Sequence, residues 1–139
     1  MRATVFIPGV KPLSKQHSGG RNGNRYFVKS EYTAAKNRLG WEAKRQLMAQ
    51  GWPIATDEKV WIRISYYGNT DRFDLDNASG FVMDALAGIA YKNDRRARRG
   101  SVVMDLPGPD AVKITLRMLP KKMKIKRRKA TCEKFSFKP

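Results

Sequence analysis

The chain of 139 residues is long enough to form one domain with a buried core, and 41% of its residues are hydrophobic. Its 29 lysines and arginines outnumber 12 aspartates and glutamates, and the formal net charge of +17 favours a polyanionic partner, nucleic acid ahead of an acidic membrane surface. One histidine and one cysteine leave almost no material for a histidine-based zinc site, a Ser-His-Asp triad or an internal disulfide.

In the first half of the chain, the patterns predict a strand, a long loop and a helix. Residues 2–8 alternate between apolar and polar side chains up to a proline, which is typical of a strand. Residues 9–25 are rich in glycine, lysine and arginine and are predicted to be a loop, followed by a short strand at 26–28. Apolar residues then recur at helical spacing over 30–50, and Gly51 ends this helix.

The second half is predicted to hold a central strand, a second helix and a hairpin. Residues 59–67 alternate cleanly and form the central strand. The second helix is predicted from Asp76 to Gly88. Residues 101–106 and 111–119 are predicted to pair with each other across a Pro-Gly-Pro-Asp turn.

This order of elements indicates a small α/β (mixed α+β) domain, in which a mixed β-sheet is covered by two main helices. We expect the domain to occupy residues 1–120. Residues 121–139 begin with a run of lysines and arginines and are expected to be a basic C-terminal extension that orders on a phosphate backbone.

Residues 74–77, Asp-Leu-Asp-Asn, place two carboxylates one residue apart in this basic chain. In an extended segment both side chains would point the same way and could bind one divalent cation. Mg²⁺ suits such a pair, because it commonly takes one or two carboxylates together with waters and phosphate oxygens. A second interpretation fits the motif equally well: Asp76 caps the helix, and Asp74 pairs with Arg72 or Arg95.

Asp94 favours the metal interpretation, because it follows the second helix and the topology permits its return beside the first two acids. Asp74, Asp76 and Asp94 are therefore predicted to be the metal-binding and catalytic residues, meeting within one protomer or across two. Asn77 and Asp84 share one helical face and are predicted to support the metal site through hydrogen bonds. For Asp84, an ordinary polar helix position is the simpler alternative.

Basic side chains are expected to hold a nucleic-acid backbone. Arginines beside a carboxylate cluster can bind phosphate bidentately, although a run of arginines is also typical of a solvated surface. The tryptophans and tyrosines of the helices and strands are expected to pack in the core or an interface rather than to stack on bases. The predicted DNA-binding residues are Lys11, Lys15, Arg21, Arg25, Arg72, Lys92, Arg95, Arg96, Arg98 and Arg99.

Three motifs in order, Arg-Phe-Asp-Leu-Asp-Asn at 72–77, Met-Asp-Ala-Leu at 83–86 and Asn-Asp at 93–94, resemble the RusA family of Holliday junction resolvases. Bacteria and their prophages encode this family, and the resemblance covers roughly residues 3–118. It implies a homodimeric endonuclease that binds four-way DNA junctions and cuts two opposing strands with Mg²⁺, for which Mn²⁺ can substitute. The matching family acids are Asp74, Asp76, Asp84 and Asp94, and Asn77 matches the last residue of the first motif.

The chain departs from the family pattern at several positions. Gly80 stands where members commonly carry a lysine, and Lys92 or an arginine of 95–99 is expected to substitute for it. Phe73 stands where a basic residue is common, and the family's acidic pair is reduced to Asp94 alone. The arginines after Asp94 also replace the start of an apolar strand.

The lack of a long apolar run and the polar N-terminus argue against a membrane span and a signal peptide, and the single cysteine favours an intracellular protein. The resemblance implies the cytoplasm of a bacterial cell, with a chromosomal or phage origin. Two other functions stay open. A non-enzymatic nucleic-acid-binding protein would show salt-sensitive binding without metal dependence. A nuclease for flaps, forks or other branched DNA would share the acids but differ in substrate.

Overall fold

In a computed structural model, the backbone is described for residues 1–12, 19–22, 25–28, 30–71 and 73–120, and side chains are described for 1–12, 31–71 and 73–120. Four strands form one mixed sheet, and two further strands form a separate antiparallel pair. Two helices complete the described fold. The elements are β1 (Arg2–Pro8), β2 (Gly19–Asn22), β3 (Arg25–Val28), α1 (Ser30–Ala49), β4 (Val60–Tyr67), α2 (Leu75–Leu86), a 3-10 turn (Asp94–Arg96), β5 (Ala97–Leu106) and β6 (Ala111–Met118).

The order of strands in the main sheet is β1-β6-β4-β5. β4 and β5 run parallel, and the other neighbouring pairs are antiparallel. α2 lies between β4 and β5 in sequence, as a parallel crossover requires. β4 lies between two other strands and its inward positions are all buried, whereas β5 has no buried residue and forms an edge.

The core lies between one face of this sheet and the two helices. Inward residues of β1, β4 and β6 pack against the apolar stripes of α1 and α2. Gly40 of α1 lets the helices approach closely, since a Cβ there would come within 2.9 Å of the Ala85 carbonyl oxygen of α2. Among the described residues, no helix is long and apolar enough to cross a membrane.

The outer edge of β1 is protected by two glutamines of α1. The side chain of Gln46 accepts from the Phe6 amide at 2.9 Å and donates to the Phe6 carbonyl at 2.8 Å. Gln50, one helical turn later, makes the same two bonds to Thr4, at 2.9 and 2.6 Å. The outward backbone groups of Thr4 and Phe6 are thereby satisfied, and the four bonds fix α1 beside β1.

The mixed sheet with two helices confirms the predicted fold class, and β1, β3, β4 and both helices lie where the patterns predict them. The predicted loop at 9–25 was wrong in part, because β2 lies within it and β3 begins at its last residue. The predicted hairpin of 101–106 with 111–119 was wrong. β6 instead lies between β1 and β4, and β5 pairs only with β4 within the described sheet. The predicted extension at 121–139 lies outside the described residues.

Candidate active site

The segment between β4 and α2 carries the first two acids of the predicted site. Tyr66, buried near the end of β4, donates from its hydroxyl to the Ala78 carbonyl in the first turns of α2, at 2.8 Å. Burial raises the pKa of Tyr66 above its usual range, so the hydroxyl stays protonated and stays a donor. This bond ties the start of α2 to the central strand.

Asp105 holds the same segment from the other side. Its carboxylate oxygen Oδ1 accepts from the Thr70 amide at 2.9 Å and from the Thr70 hydroxyl at 2.6 Å. The two hydrogen bonds from Thr70 hold the pKa of Asp105 below its usual range. Asp105 has a φ of 58°, a left-handed conformation that aspartate tolerates better than most residues. We did not predict this residue from sequence, because an aspartate near a turn gives no distinguishing signal.

Asp74 and Asp76 lie at the exposed N-terminus of α2. Asp74 is the N-cap, and its Oδ1 accepts from the Asn77 amide at 2.8 Å. Asp76 lies in the first turn, where the helix dipole favours negative charge. Neither carboxylate forms an ion pair within the part of the chain that the structure describes. The alternative interpretation, in which Asp76 caps the helix, is wrong because Asp74 is the cap. Its second part paired Asp74 with Arg72 or Arg95. Asp74 forms no ion pair with Arg95, and Arg72 lies outside the described residues.

The chemistry of these two carboxylates fits a hard divalent cation. Asp74 uses one oxygen for the cap and keeps the other, and Asp76 projects from the following turn. Two exposed carboxylates with room for water and phosphate oxygens are the kind of ligand set that Mg²⁺ commonly takes. The helix N-terminus adds positive potential for a phosphate.

Asn77 and Asp84 are also placed on α2, but they make different contacts. Asn77 contributes its backbone amide to the Asp74 cap. Asp84 lies farther along the helix, and its Oδ2 accepts from the Tyr32 hydroxyl of α1 at 3.1 Å. Burial raises the pKa of Tyr32 to about 12, and the hydrogen bond to Asp84 and its charge add to the rise. Asp84 thus joins the two helices.

Asp94 lies at the opposite end of α2 from Asp74 and Asp76. It begins the 3-10 turn that leads into β5, and Ala97 at the start of β5 is paired with Val60 at the start of β4. α2 contains 12 residues and spans about 18 Å at its usual rise. Burial raises the pKa of Tyr91 above its usual range, and the charges of Asp94 and Asp84 add to the rise. Both aspartates therefore lie near the Tyr91 hydroxyl.

One chain therefore does not bring the three predicted acids together. Across the described ranges, no group of three His, Cys, Asp or Glu side chains is placed to hold a metal ion. Asp74 and Asp76 share one end of α2, and Asp94 lies near the other end. A site with all three acids on one ion needs a second chain.

The basic residues predicted to bind DNA differ in their surroundings. Lys11 forms an exposed ion pair with Asp110 at 3.4 Å. Lys92, Arg95, Arg98 and Arg99 are exposed around the 3-10 turn and the start of β5. Arg96 forms an ion pair, with its guanidinium 2.9 Å from the Asp57 carboxylate. Lys15 and Arg72 lie outside the described residues, and for Arg21 and Arg25 only the backbone, in β2 and β3, is described.

Arg98 and Arg99 belong to a cleft that the sequence did not reveal. The register of β4 against β5 shifts here, because Val60 pairs with Ala97 and the next residue pairs with Arg99. This bulge inserts Arg98 as an extra residue at the edge of the sheet. The two arginines line the cleft together with Lys59, Leu119 and Pro120. Lys59 precedes β4 and carries no motif, so only the fold identifies it.

A family model described as Endodeoxyribonuclease RusA matches residues 9–117 of the chain. The match includes every predicted site residue and all of the described sheet except β1 and the last residue of β6. A search of curated proteins finds no match.

Proposed function

Because the chain belongs to the RusA family of endodeoxyribonucleases, which hydrolyse DNA at Holliday junctions, we propose that it resolves four-way junctions by Mg²⁺-dependent cleavage of two opposing strands. The observation that carries the metal part of this proposal is the exposed carboxylate pair Asp74 and Asp76 at the N-terminus of α2. In a chain of net charge +17, exposed acids beside a phosphate are costly unless a cation lies between them.

Each residue of this site has a defined task in the proposed reaction. Asp76 and the free oxygen of Asp74 hold the cation, and the Asn77 amide fixes the Asp74 carboxylate. The cation supplies Lewis-acid activation of the scissile phosphate and of an attacking water. The bonds from Tyr66 and Thr70 keep the N-terminus of α2 fixed, so both carboxylates are positioned before DNA arrives.

Asp94 joins this site only if two chains associate, which supports the proposed homodimer. When two copies of α2 pack antiparallel about a two-fold axis, the N-terminus of each helix lies beside the C-terminal end of the other. Asp94 of one protomer then approaches Asp74 and Asp76 of its partner, and the symmetry makes two identical sites. Four-way junctions need two cuts, so two sites are what the reaction requires.

The surface around α2 and β5 is suited to such contact. Leu75 is 57% exposed although it is a large apolar residue on α2. With Ser79 and Met83 it lines an open groove against β5, whose outer edge has no strand beside it in the described sheet. An apolar groove next to a free strand edge is a surface that a second chain can cover.

The test compares junction cleavage by the wild type, Asp76→Asn and a control, Glu42→Gln. Both substitutions remove one negative charge, but Glu42 lies on α1 and pairs with Arg45. We expect Mg²⁺-dependent cleavage by the wild type and Glu42→Gln and none by Asp76→Asn. Equal cleavage by all three proteins would refute the metal site.

The same variants separate binding from cleavage. Because Asp76→Asn removes a charge that faces phosphate, it should bind junction DNA in metal-free buffer at least as tightly as the wild type. Weaker binding would mean that Asp76 acts in folding or DNA contact rather than in metal binding. A panel of flaps, forks and four-way junctions measures which branched substrate is cut fastest, and preference for flaps would favour the other nuclease assignment.

A further inference from the structure

The face of the main sheet opposite the helices has an unusual composition. Its residues alternate with the buried core positions of β1, β4 and β6, and no described helix covers them. We call this surface the open sheet face. Its outward residues on the three strands are Arg2, Thr4, Phe6, Trp61, Arg63, Ser65, Tyr67, Ala111, Lys113, Thr115 and Arg117, and among them Ser65, Ala111 and Thr115 are buried.

Three aromatic rings lie on the open sheet face. Phe6 is 49% exposed and contacts Tyr67 edge to face, with 6.3 Å between the ring centroids. Trp61 is half-buried, and the guanidinium of Arg117 lies 5.0 Å from its ring centroid. This cation–π contact and the strand pairing hold the indole in one orientation, which lowers the entropy lost when another ring stacks on it.

The charges on this face are all positive. Arg2, Arg63, Lys113 and Arg117 are exposed, and none of them forms an ion pair with another described residue. No aspartate or glutamate occupies an outward position of the three strands. Unpaired cations on a flat surface attract a polyanion and remain available to its phosphates.

We propose that the open sheet face binds single-stranded DNA, whose bases stack on Trp61 and on the Phe6–Tyr67 pair. Single strands expose the faces of their bases, which stack on aromatic side chains, while cations along the groove follow the backbone. The bases of a duplex are already stacked and cannot reach these rings. Trp61 and Tyr67 lie at the two ends of β4, about 20 Å apart at the usual strand rise, so the surface has room for several nucleotides.

This surface is separate from the proposed cleavage site. α2, with Asp74 and Asp76, packs on the other face of the sheet. Binding here therefore goes beyond junction cleavage and does not depend on the metal. A second copy of the chain is a poorer occupant than a nucleic acid, because an isologous contact would place the four unpaired cations against the same cations of the partner.

The test measures binding of a labelled oligothymidylate in metal-free buffer by fluorescence anisotropy. Trp61→Ala removes one stacking ring, and we expect affinity to fall about tenfold. Trp41→Ala is the matched control, because Trp41 is 71% exposed but lies on α1, on the helical side of the molecule. Equal affinities for the two variants would overturn the proposal, and so would a change from dimer to monomer on Trp61→Ala in light scattering.

A second measurement does not need Trp61 to be removed. In Trp41→Phe, the remaining tryptophans are Trp61 and Trp52, and Trp52 is only 2% exposed. Stacking of a base on Trp61 should then quench the tryptophan fluorescence of this variant as oligothymidylate is added. Unchanged fluorescence at saturating single strand would contradict the proposal. Oligodeoxyuridylate and oligouridylate, which share one base, test the sugar in parallel: tighter binding of the DNA strand supports DNA as the occupant, and tighter binding of the RNA strand overturns that choice.

Discussion

A mixture of two inactive variants offers the sharpest test of the two-chain active site. Asp76→Asn should inactivate the end of α2 that holds the Asp74–Asp76 pair, and Asp94→Asn should inactivate the other end. A heterodimer of these chains carries one site with both substitutions and one site with neither. Co-refolding the two inactive proteins should therefore restore cleavage.

The size of the effect follows from geometry and symmetry. Two carboxylates on one Mg²⁺ have their oxygens about 4 Å apart at most, because each lies 2.0–2.1 Å from the ion. α2 separates Asp74 from the segment that leads to Asp94 by about 18 Å, so one chain does not supply all three ligands. Random pairing gives about half heterodimers with one intact site each, and hence about a quarter of the wild-type number of sites.

The assay follows a four-way junction labelled on two opposing strands. A heterodimer with one intact site should nick one strand, whereas the wild type should cut both. If each chain held its own complete site, both sites of every heterodimer would stay inactive and mixing would restore nothing. No cleavage after mixing, with heterodimers confirmed by mass, would refute the two-chain site.

Three further predictions concern the elements around the site. Asp74→Asn should keep the N-cap and melt like the wild type but lose cleavage, whereas Asp74→Ala should also lose about 1 kcal/mol of stability in denaturant unfolding. The hydrogen bonds from Thr70 lower the folded-state pKa of Asp105, so its stabilisation is present above the ordinary value of 3.8 and is lost as the pH falls through the folded value. The wild type should therefore lose more stability on acidification than Asp105→Asn, which keeps a carbonyl acceptor and does not titrate; equal losses would contradict this. Gly40→Ala should lower the free energy of unfolding by about 1–3 kcal/mol, because the new Cβ would lie 2.9 Å from a carbonyl oxygen of α2. Gly80→Ala should raise it by about 1 kcal/mol, because alanine favours a helix and nothing lies within 4 Å of its Cβ. Denaturant unfolding measures both changes.

Hydrophobic periodicity predicted most of the secondary structure, because an element that buries one face needs apolar residues at a fixed spacing along the sequence. The alternation over β4 and the helical stripe of α1 each correspond to a buried surface. Strand order is different. β5 and β6 are antiparallel whether they pair directly or lie on either side of β4, and both arrangements give the same alternation. The four-residue link 107–110 can cross the roughly 10 Å of two strand spacings, so its length did not distinguish them either.

The candidate site was predictable in composition but not in arrangement. The motif at 74–77 identified the carboxylate pair. The N-cap of α2 is Asp74 rather than Asp76, because the cap is the residue just before the backbone becomes helical, and the motif does not fix that position. Asp105 and Lys59 were missed because their roles exist only after distant strands are placed side by side. Trp61 and Tyr67 were expected to pack in the core or an interface, and alternation with the buried positions of β4 places both on the outer face.

The distribution of charge along α2 gives the two-chain site a further consequence. The exposed arginines that follow Asp94 lie near the C-terminal end of this helix, whereas the acids lie at its N-terminus. In one chain, the carboxylates proposed to hold the cation are thus far from the arginines best suited to hold the scissile phosphate. In an antiparallel dimer, the arginines of one protomer accompany its Asp94 to the partner's carboxylates. The phosphate contacts and the third acid would then reach the carboxylate pair together, and a lone chain bound to duplex DNA would lack both of them there. Substituting Arg95 and Arg99 should therefore impair cleavage in the mixed-variant assay only when the substitutions are carried on the chain that supplies Asp94.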